Sequence, residues 1–189
     1  GEVRVGGAAV TAPPAGVGLV SQEGDLLPWR RVLANIELGL ELRRVPRPQR
    51  RQRAWAALRR AGLDETVARC YPHELSGGMR QRVALARALC PNPGILLMDE
   101  PFASLDEPAR HQLQQDLLDL RAADNQSVLL VTHSIEEAVF LADHLVIMSA
   151  GRIGQRIRLE LDRPRDRLSG PFVQALLQVR TALGACCQA

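Results

Sequence analysis

The sequence predicts an α/β fold in which helices flank a mostly parallel sheet, and three observations lead to this prediction. Apolar runs of strand length, Ile95–Met98 and Ser127–Thr132, alternate with amphipathic helical patterns such as Met79–Cys90. Runs this apolar are typical of parallel strands that are covered on both faces. Polar residues follow these strands directly, which is where open α/β sheets place their ligands. The 189 residues, 46% of them hydrophobic, suffice for one domain with a real core.

The N-terminal segment is expected to form short strands. Residues Gly1–Val10 predict a hairpin that turns at Gly6 and Gly7, and Val17–Ser21 predicts a strand that ends at Gln22. The loop that follows contains Leu26, Leu27, Pro28 and Trp29. Apolar loop residues without periodicity either fold back onto the core or form a docking surface.

Two helices are predicted next, over Asn35–Leu42 and Pro48–Ala61, with Gly62 as the residue that ends the second. Most of the net charge of +3 lies between Arg43 and Arg60. Such a run is either a nucleic-acid surface or a solvated helix face. Because only 3% of the residues are aromatic, no base-stacking platform is evident. We therefore expect no nucleic-acid partner.

Ser76, Gly77 and Gly78 stand at the start of the helical pattern that Pro91 ends. Free N–H groups and the positive end of the helix dipole favour an anion at such a position, and glycines let it approach the main chain. These three residues therefore predict a phosphate site. The alternative is an ordinary capping turn in front of an amphipathic helix.

The strand predicted over Ile95–Met98 ends in two carboxylates, Asp99 and Glu100. Side chains alternate along a strand, so the two can differ in role: one can hold Mg²⁺ through water while the other polarises an attacking water. Pro101 then directs the chain out of the sheet, and Ser104–Asp106 forms a turn before the next helix, Pro108–Ala123.

In this order, LSGGMRQR, ILLMDE and SLD resemble the signature motif, the Walker B strand and the D-loop of the ATP-binding-cassette (ABC) ATPases. In that family two cassettes face each other head to tail. The resemblance implies an ABC cassette of the P-loop NTPase type, a homodimer through the ATP sites, and ATP and Mg²⁺ as cofactors. It implies a magnesium contact for Asp99 and the role of general base for Glu100. Its implied nucleotide-binding residues are Ser76, Gly77, Gly78, Gln81 and Asp106, the first three contacting the γ-phosphate of ATP held by the partner.

The same resemblance gives roles to two polar residues that follow strands. Gln22 corresponds to the Q-loop glutamine, which touches Mg²⁺ and the attacking water. His133 corresponds to the H-loop histidine, which holds the γ-phosphate, although a lone histidine is more often structural. After it, Ser134 and Glu137 predict a capping box that opens a helix.

The C-terminal part predicts two strands, His144–Ser149 and Arg152–Leu161, and then a Pro-rich linker. A terminal amphipathic helix follows, with Phe172, Leu176 and Val179 on one face. No apolar run approaches the roughly eighteen residues of a membrane span.

The segments LLPWRRVLANIELGLEL, EEAVFLAD and LDRPRD resemble the nitrate, sulfonate and taurine importer ATPases. No sustained heptads separate Gln22 from Leu75, so the coiled-coil repair and chromosome-structure ATPases do not fit. The importer resemblance implies a peripheral protein on the cytoplasmic face of the inner membrane. It implies docking of the integral membrane permease near Leu26, Leu27, Pro28 and Trp29, and an indirect partnership with a periplasmic or extracellular solute-binding protein.

The pattern G-x-x-x-x-G-K-[ST] of the Walker A loop does not occur, and the sequence contains no lysine. We therefore expect an incomplete cassette that lacks the N-terminal strand, the P-loop and the following helix. Its predicted parts are a nucleotide-binding core (1–22 and 94–157), a helical subdomain (23–93) and a C-terminal linker and helix (158–189). The alternative is a degenerate cassette that only docks on a partner.

Overall fold

A computed structural model gives the structure of residues 1–14, 16–22, 24–124 and 126–187. The chain divides into two compact units, Gly1–Val131 and Thr132–Ala189. The finer division into a core, a helical subdomain and a C-terminal linker stays a prediction.

The strands of the first unit form two sheets. Strands β1 (Arg4–Val5) and β2 (Ala8–Ala9) pair antiparallel, which confirms the predicted hairpin. Strands β3 (Val17–Val20), β4 (Ile95–Asp99) and β5 (Ser127–Val131) form a parallel sheet in the order β3-β4-β5. The parallel pairing predicted from the apolar runs is therefore present.

The described residues of this unit form the α-helices α1 (Val32–Ile36), α2 (Leu38–Leu42), α3 (Arg47–Arg60), α4 (Gly77–Leu89) and α5 (Glu107–Asp124). Two short 3₁₀ helices, Glu65–Arg69 and Pro72–Glu74, precede α4. The single helix predicted over Asn35–Leu42 is wrong, because two short helices meet at Glu37. Asn35 begins no helix; it lies buried in α1 and uses its amide to hold the preceding loop. Gly62 ends α3 with a φ of 67°, as predicted.

Helix α4 packs directly on one face of the parallel sheet. A Cβ added to Gly18 in β3 would come within 2.8 Å of the carbonyl oxygen of Ala88 in α4, so only glycine allows this approach. On the same face of β4, Leu96 and Met98 are buried. The covered face of the sheet therefore depends on α4.

The other face of the sheet does not fit the prediction of strands covered on both sides. Leu19, Leu97 and Leu129 are aligned across the three strands, and Leu19 and Leu129 are 60% and 63% exposed. Val131 is 55% exposed. Within the described residues, the prediction of full coverage is therefore wrong for this face, which presents an apolar ladder.

The helices between the strands share a separate hydrophobic core. Its central side chains are fully buried: Val32 and Ile36 of α1, Leu58 of α3 and Val83 of α4. Trp55 packs against this core and is only partly buried. This core fixes α4 to the helices around it. Helix α4 therefore packs on the sheet with one side and on the other helices with the opposite side.

The second unit consists of α6 (Ile135–Leu141), β6 (His144–Ser149), β7 (Arg152–Arg158) and α7 (Gly170–Cys187). Both predicted strands are present and pair antiparallel, but β7 ends at Arg158 and not at the predicted Leu161. Phe172 of α7 is buried and meets Phe140 of α6 edge to face, with ring centroids 6.5 Å apart. The apolar face predicted for the terminal helix is thus the one it buries, with Val179 at 3% exposure.

A buried arginine holds the end of α6. The guanidinium of Arg165 donates to the carbonyl oxygens of Val139, Phe140 and Ala142 at 2.8, 3.1 and 2.7 Å. The last carbonyls of a helix have no partner within it, so these bonds satisfy groups that burial would otherwise penalise. The segment LDRPRD therefore has a structural role in this unit. No helix in the described part of the chain has the length and apolarity to cross a membrane.

Candidate functional site

The register of the parallel strands places the predicted polar residues at one edge of the sheet. Val20 of β3 lies opposite Met98 of β4, so Gln22, two residues after Val20, lies at the same edge as Asp99 and Glu100. Gln22 and Asp99 are exposed, and Glu100 is half-buried. This edge brings together an amide and two carboxylates.

Glu100 has an unusual main chain. Its φ is 43°, in the left-handed region that side chains with a Cβ seldom adopt. Its N–H donates to the carbonyl oxygen of Val131 at 2.9 Å, and its own carbonyl accepts from Ala103 at 3.2 Å. These bonds hold the residue in a costly conformation, and such conformations cluster at functional sites.

The phosphate site predicted at Ser76–Gly78 lies at the start of α4. Ser76 is the N-cap residue, and its hydroxyl oxygen accepts from the N–H of Met79 at 3.2 Å. Ser76 is exposed and the two glycines are half-buried. The predicted helix start is therefore confirmed, and it is open to an anion from outside the chain.

The turn Ser104–Asp106 lies against this helix start. A Cβ on Gly77 would sit 3.6 Å from the carbonyl oxygen of Ser104, and one on Gly78 would sit 3.6 Å from the Cβ of Ala109. Asp106 is exposed, and its carboxylate accepts from the N–H of Ala109 at 3.0 Å. Its observed contact is thus a cap on α5, and its contact with a nucleotide stays a prediction.

Gln81 lies inside the protein, with 3% of its surface exposed. Its amide nitrogen donates to the carbonyl oxygen of Ser21 at 3.5 Å, next to Gln22. Its role in nucleotide binding also stays a prediction. Arg87 makes similar bonds to this loop, and the sequence reasoning missed it. An arginine inside the apolar run ALARAL is the sequence signal of a partly buried charge, but its partners lie 62 and 63 positions away and no local pattern identifies them.

His133 belongs to the second unit and is exposed. The residues on either side of it are fixed by a short network. The Thr132 hydroxyl donates to the Glu137 carboxylate at 2.5 Å and accepts from the Ser134 N–H at 3.0 Å. The Ser134 hydroxyl accepts from the Glu137 N–H at 3.3 Å, which confirms Ser134 as the cap of α6. The Ser134 half of the predicted capping box is therefore confirmed, while the Ser134 N–H donates to the Thr132 hydroxyl, which in turn donates to Glu137.

The oxygen donors at the sheet edge fit one kind of metal. Among the described residues, no three His, Cys, Asp or Glu side chains are grouped closely enough to hold an ion by themselves. Mg²⁺ needs few protein ligands, because it keeps waters and takes phosphate oxygens. The exposed carboxylate of Asp99 and the amide of Gln22 suit such an ion when it arrives with a nucleotide.

The fold agrees with what comparisons with known proteins find. Residues 1–103 match the family model described as ABC transporter. The chain belongs to the ABC transporter family. A taurine import ATP-binding protein, TauB, of Chromobacterium violaceum is 50% identical over 165 residues, which are 86% of this chain and 63% of that protein. An uncharacterised ABC transporter ATP-binding protein, MJ0412, of Methanocaldococcus jannaschii is 45% identical over 176 residues, which are 92% and 66% of the two chains.

Solved ABC cassettes share the fold. A dimeric post-hydrolysis structure of the ATP-binding cassette MJ0796, bound to ADP and Pi, has a TM-score of 0.74 at 31% identity, over 85% of this chain and 74% of that chain. The α/β fold of the P-loop NTPase type is thereby confirmed. The present ABC chain spans less than two thirds of the length of the curated relatives above.

The left-handed conformation of Glu100 leads to a stability prediction. Glu100→Gly and Glu100→Gln both remove the carboxylate, but only glycine adopts a positive φ without strain. We expect the glycine variant to be more stable than the glutamine variant by about 1 kcal/mol, measured by urea unfolding. Equal stabilities would contradict the assignment of strain to Glu100.

Proposed function

We propose that this ABC chain is part of the ATP-binding and hydrolysing subunit of an importer. The observation that carries the proposal is the sheet edge, where the register of β3 and β4 aligns Gln22 with Asp99 and Glu100. An acidic pair at this edge suits hydrolysis, since one carboxylate can serve a metal and the other can take a proton from water. The identity to taurine import proteins supports an importer.

Each predicted residue then has a role. Glu100 acts as the general base that takes the proton of the attacking water. Asp99 and Gln22 hold Mg²⁺, which supplies charge to offset the phosphates, and Gln22 also orients the water. His133 orients the γ-phosphate. These roles rest on the resemblance and on the placement of the strand ends.

The start of α4 provides the second half of a composite site. Ser76, Gly77 and Gly78 present an open helix N-terminus, which suits the γ-phosphate of ATP held by a second cassette. We propose a head-to-tail homodimer in which Gln81 and Asp106 complete the nucleotide surroundings. The dimeric form of the cassette MJ0796 supports this arrangement.

The general-base assignment is tested in the full-length protein. Glu100→Gln should lower kcat for ATP hydrolysis by at least about 100-fold, because the amide cannot accept the proton. ATP binding should persist, since the carboxylate repels the phosphates. Glu107→Gln, an exposed change in the first turn of α5, serves as the control. Turnover of Glu100→Gln near the wild-type rate would overturn the assignment.

We propose that membrane permease subunits dock on the loop after β3. Pro28 and Trp29 are exposed, Trp29 at 72%, whereas Leu26 packs on the helical core. A cavity of about 800 Å³ is lined in part by Arg31, Leu33 and Trp55, and none of the proposed docking residues lines it. The docking proposal therefore rests on the exposure of Pro28 and Trp29. The protein would then sit on the cytoplasmic face of the membrane, and a solute-binding protein would act only through the permease.

The docking surface is tested by changing Leu27 and Trp29 together to Ser. Loss of apolar contact should weaken co-purification with the permease about tenfold or more, while ATP hydrolysis without the permease persists. Leu168→Ser is the control, because Leu168 is 91% exposed and lies far along the chain from this loop. Full transport by the double variant would show that the loop is not the docking surface.

The transported solute is proposed to be a small anion such as nitrate, a sulfonate or taurine. The relatives named for taurine import support this class, although the solute is selected by other subunits of such systems. Uptake assays with the assembled transporter and each radiolabelled anion distinguish the three.

The 189 residues contain no lysine and no Walker A pattern, although a P-loop and its lysine normally hold the β- and γ-phosphates. We expect residues 1–189 by themselves to bind Mg-ATP weakly and to show no turnover, measured by calorimetry and phosphate release. Tight binding with multiple turnovers would mean that another segment replaces the P-loop.

A further inference from the structure

The loop that contains Gln22 and the proposed docking residues is held at two places. Its first part, near Ser21 and Gly24, is bonded to α4. Its second part is bonded to α1, where the buried Asn35 accepts from the Leu27 N–H at 2.7 Å and donates to the Arg30 carbonyl at 2.9 Å. The loop therefore contacts α4, the helix that begins with the signature motif, on one side and the helical core on the other.

Arg87 supplies the strongest link to α4. Its guanidinium donates through Nη1 to the carbonyl oxygen of Asp25 at 2.6 Å and through Nη2 to that of Gly24 at 2.8 Å. Two parallel bonds from one planar group fix both distance and orientation. Burial lowers the pKa of the Arg87 guanidinium, and the nearby Asp25 charge partly offsets this effect. Arg87 is half-buried, so its bonds to the two carbonyls are only partly shielded from water.

The turn that carries Gln22 is shaped to lie on α4. Gly24 is buried at a φ of 75°, and a Cβ there would sit 3.3 Å from the Cβ of Ala84. The Gly24 N–H donates to the Ser21 carbonyl at 3.1 Å, which closes the turn around Gln22. The Ser21 hydroxyl also donates to the Asp25 carboxylate at 2.6 Å. Gln22 itself stays exposed, so the turn is fixed while its central amide remains accessible.

The same helix carries the predicted phosphate site at its other end. Arg87 lies ten residues after Gly77, a distance of about 15 Å along the helix. Between these two residues, α4 packs against the sheet on one side and contributes side chains to the helical core on the other. The bonds of Arg87 to the loop and the residues Ser76–Gly78 therefore lie at opposite ends of one largely buried helix.

We propose that Arg87 is a positioning residue that makes the Gln22 turn and the signature helix move as one body. Resting on the proposed function, this inference means that a permease pressing on Trp29 displaces Gln22 in one composite site and Ser76–Gly78 in the other. Arg87 touches no reacting group. It acts by fixing the position of the turn.

The test uses Arg87→Met in the full-length protein assembled with its permease. Methionine retains an apolar stem but cannot donate to the carbonyls of Gly24 and Asp25. We expect kcat for permease-stimulated ATP hydrolysis to fall about tenfold while KM for ATP changes less than twofold. Arg87→Lys, which retains a charged donor, should recover part of the loss. Arg59→Met is the matched control, because the guanidinium of Arg59 pairs with Glu65 at the exposed surface of α3.

A purely structural role for Arg87 would give a different result. Basal and stimulated rates would then fall together, in proportion to the unfolded fraction, and both would recover at lower temperature. That outcome, or wild-type stimulation in Arg87→Met, would overturn the proposal.

Hydrogen exchange tests the link without any ATP chemistry. The Gly24 amide should exchange about tenfold faster in Arg87→Met and at the wild-type rate in Arg59→Met. Unchanged exchange at Gly24 would overturn the proposal. If exchange rises as expected but Glu100→Gln hydrolyses ATP normally, the proposed catalytic function fails while the link between loop and helix stands.

Discussion

The close packing of α4 on β3 is the constraint on which the rest of the first unit depends. Gly18 allows the backbones to approach until an added Cβ would lie 2.8 Å from the Ala88 carbonyl oxygen. This approach sets α4 on the sheet, and the helical core then holds the other side of the same helix. The position of the proposed phosphate site at one end of α4, and of the loop bonds along it, depends on this contact.

A second constraint is the parallel register of the sheet. Because Val20 pairs with Met98 and Asp99 pairs with Val131, strands β3, β4 and β5 end at the same edge of the sheet. Gln22, Asp99 and Glu100 are brought to this edge by the pairing of strands that lie far apart in the chain. The strain at Glu100 is a local cost of this arrangement, since hydrogen bonds to β5 and to Ala103 hold a conformation that its side chain disfavours.

The two faces of the sheet differ in what they bury. One lies under α4, and the other presents Leu19 and Leu129, each more than half exposed. Apolar ladders of this kind associate with other surfaces in water, and they lower the solubility of a chain that presents them. Two arginines stabilise main-chain segments inside the protein. Arg87 donates to carbonyls of a loop, and Arg165 donates to carbonyls at a helix end.

The sequence by itself determined the order of elements, the caps and the motifs, because these follow from local patterns. Ser76, Gly62 and Ser134 each mark a helix end through backbone geometry or a hydrogen bond to a near neighbour. The tertiary structure alone decided which apolar strand faces are covered and where Gln81 and Arg87 donate. It also decided that Asn35 lies inside α1 and holds the loop before that helix. These outcomes depend on contacts between residues far apart in the chain, such as the 62 positions between Asp25 and Arg87. Periodicity and turn chemistry report only on neighbours, so no local pattern could have specified them.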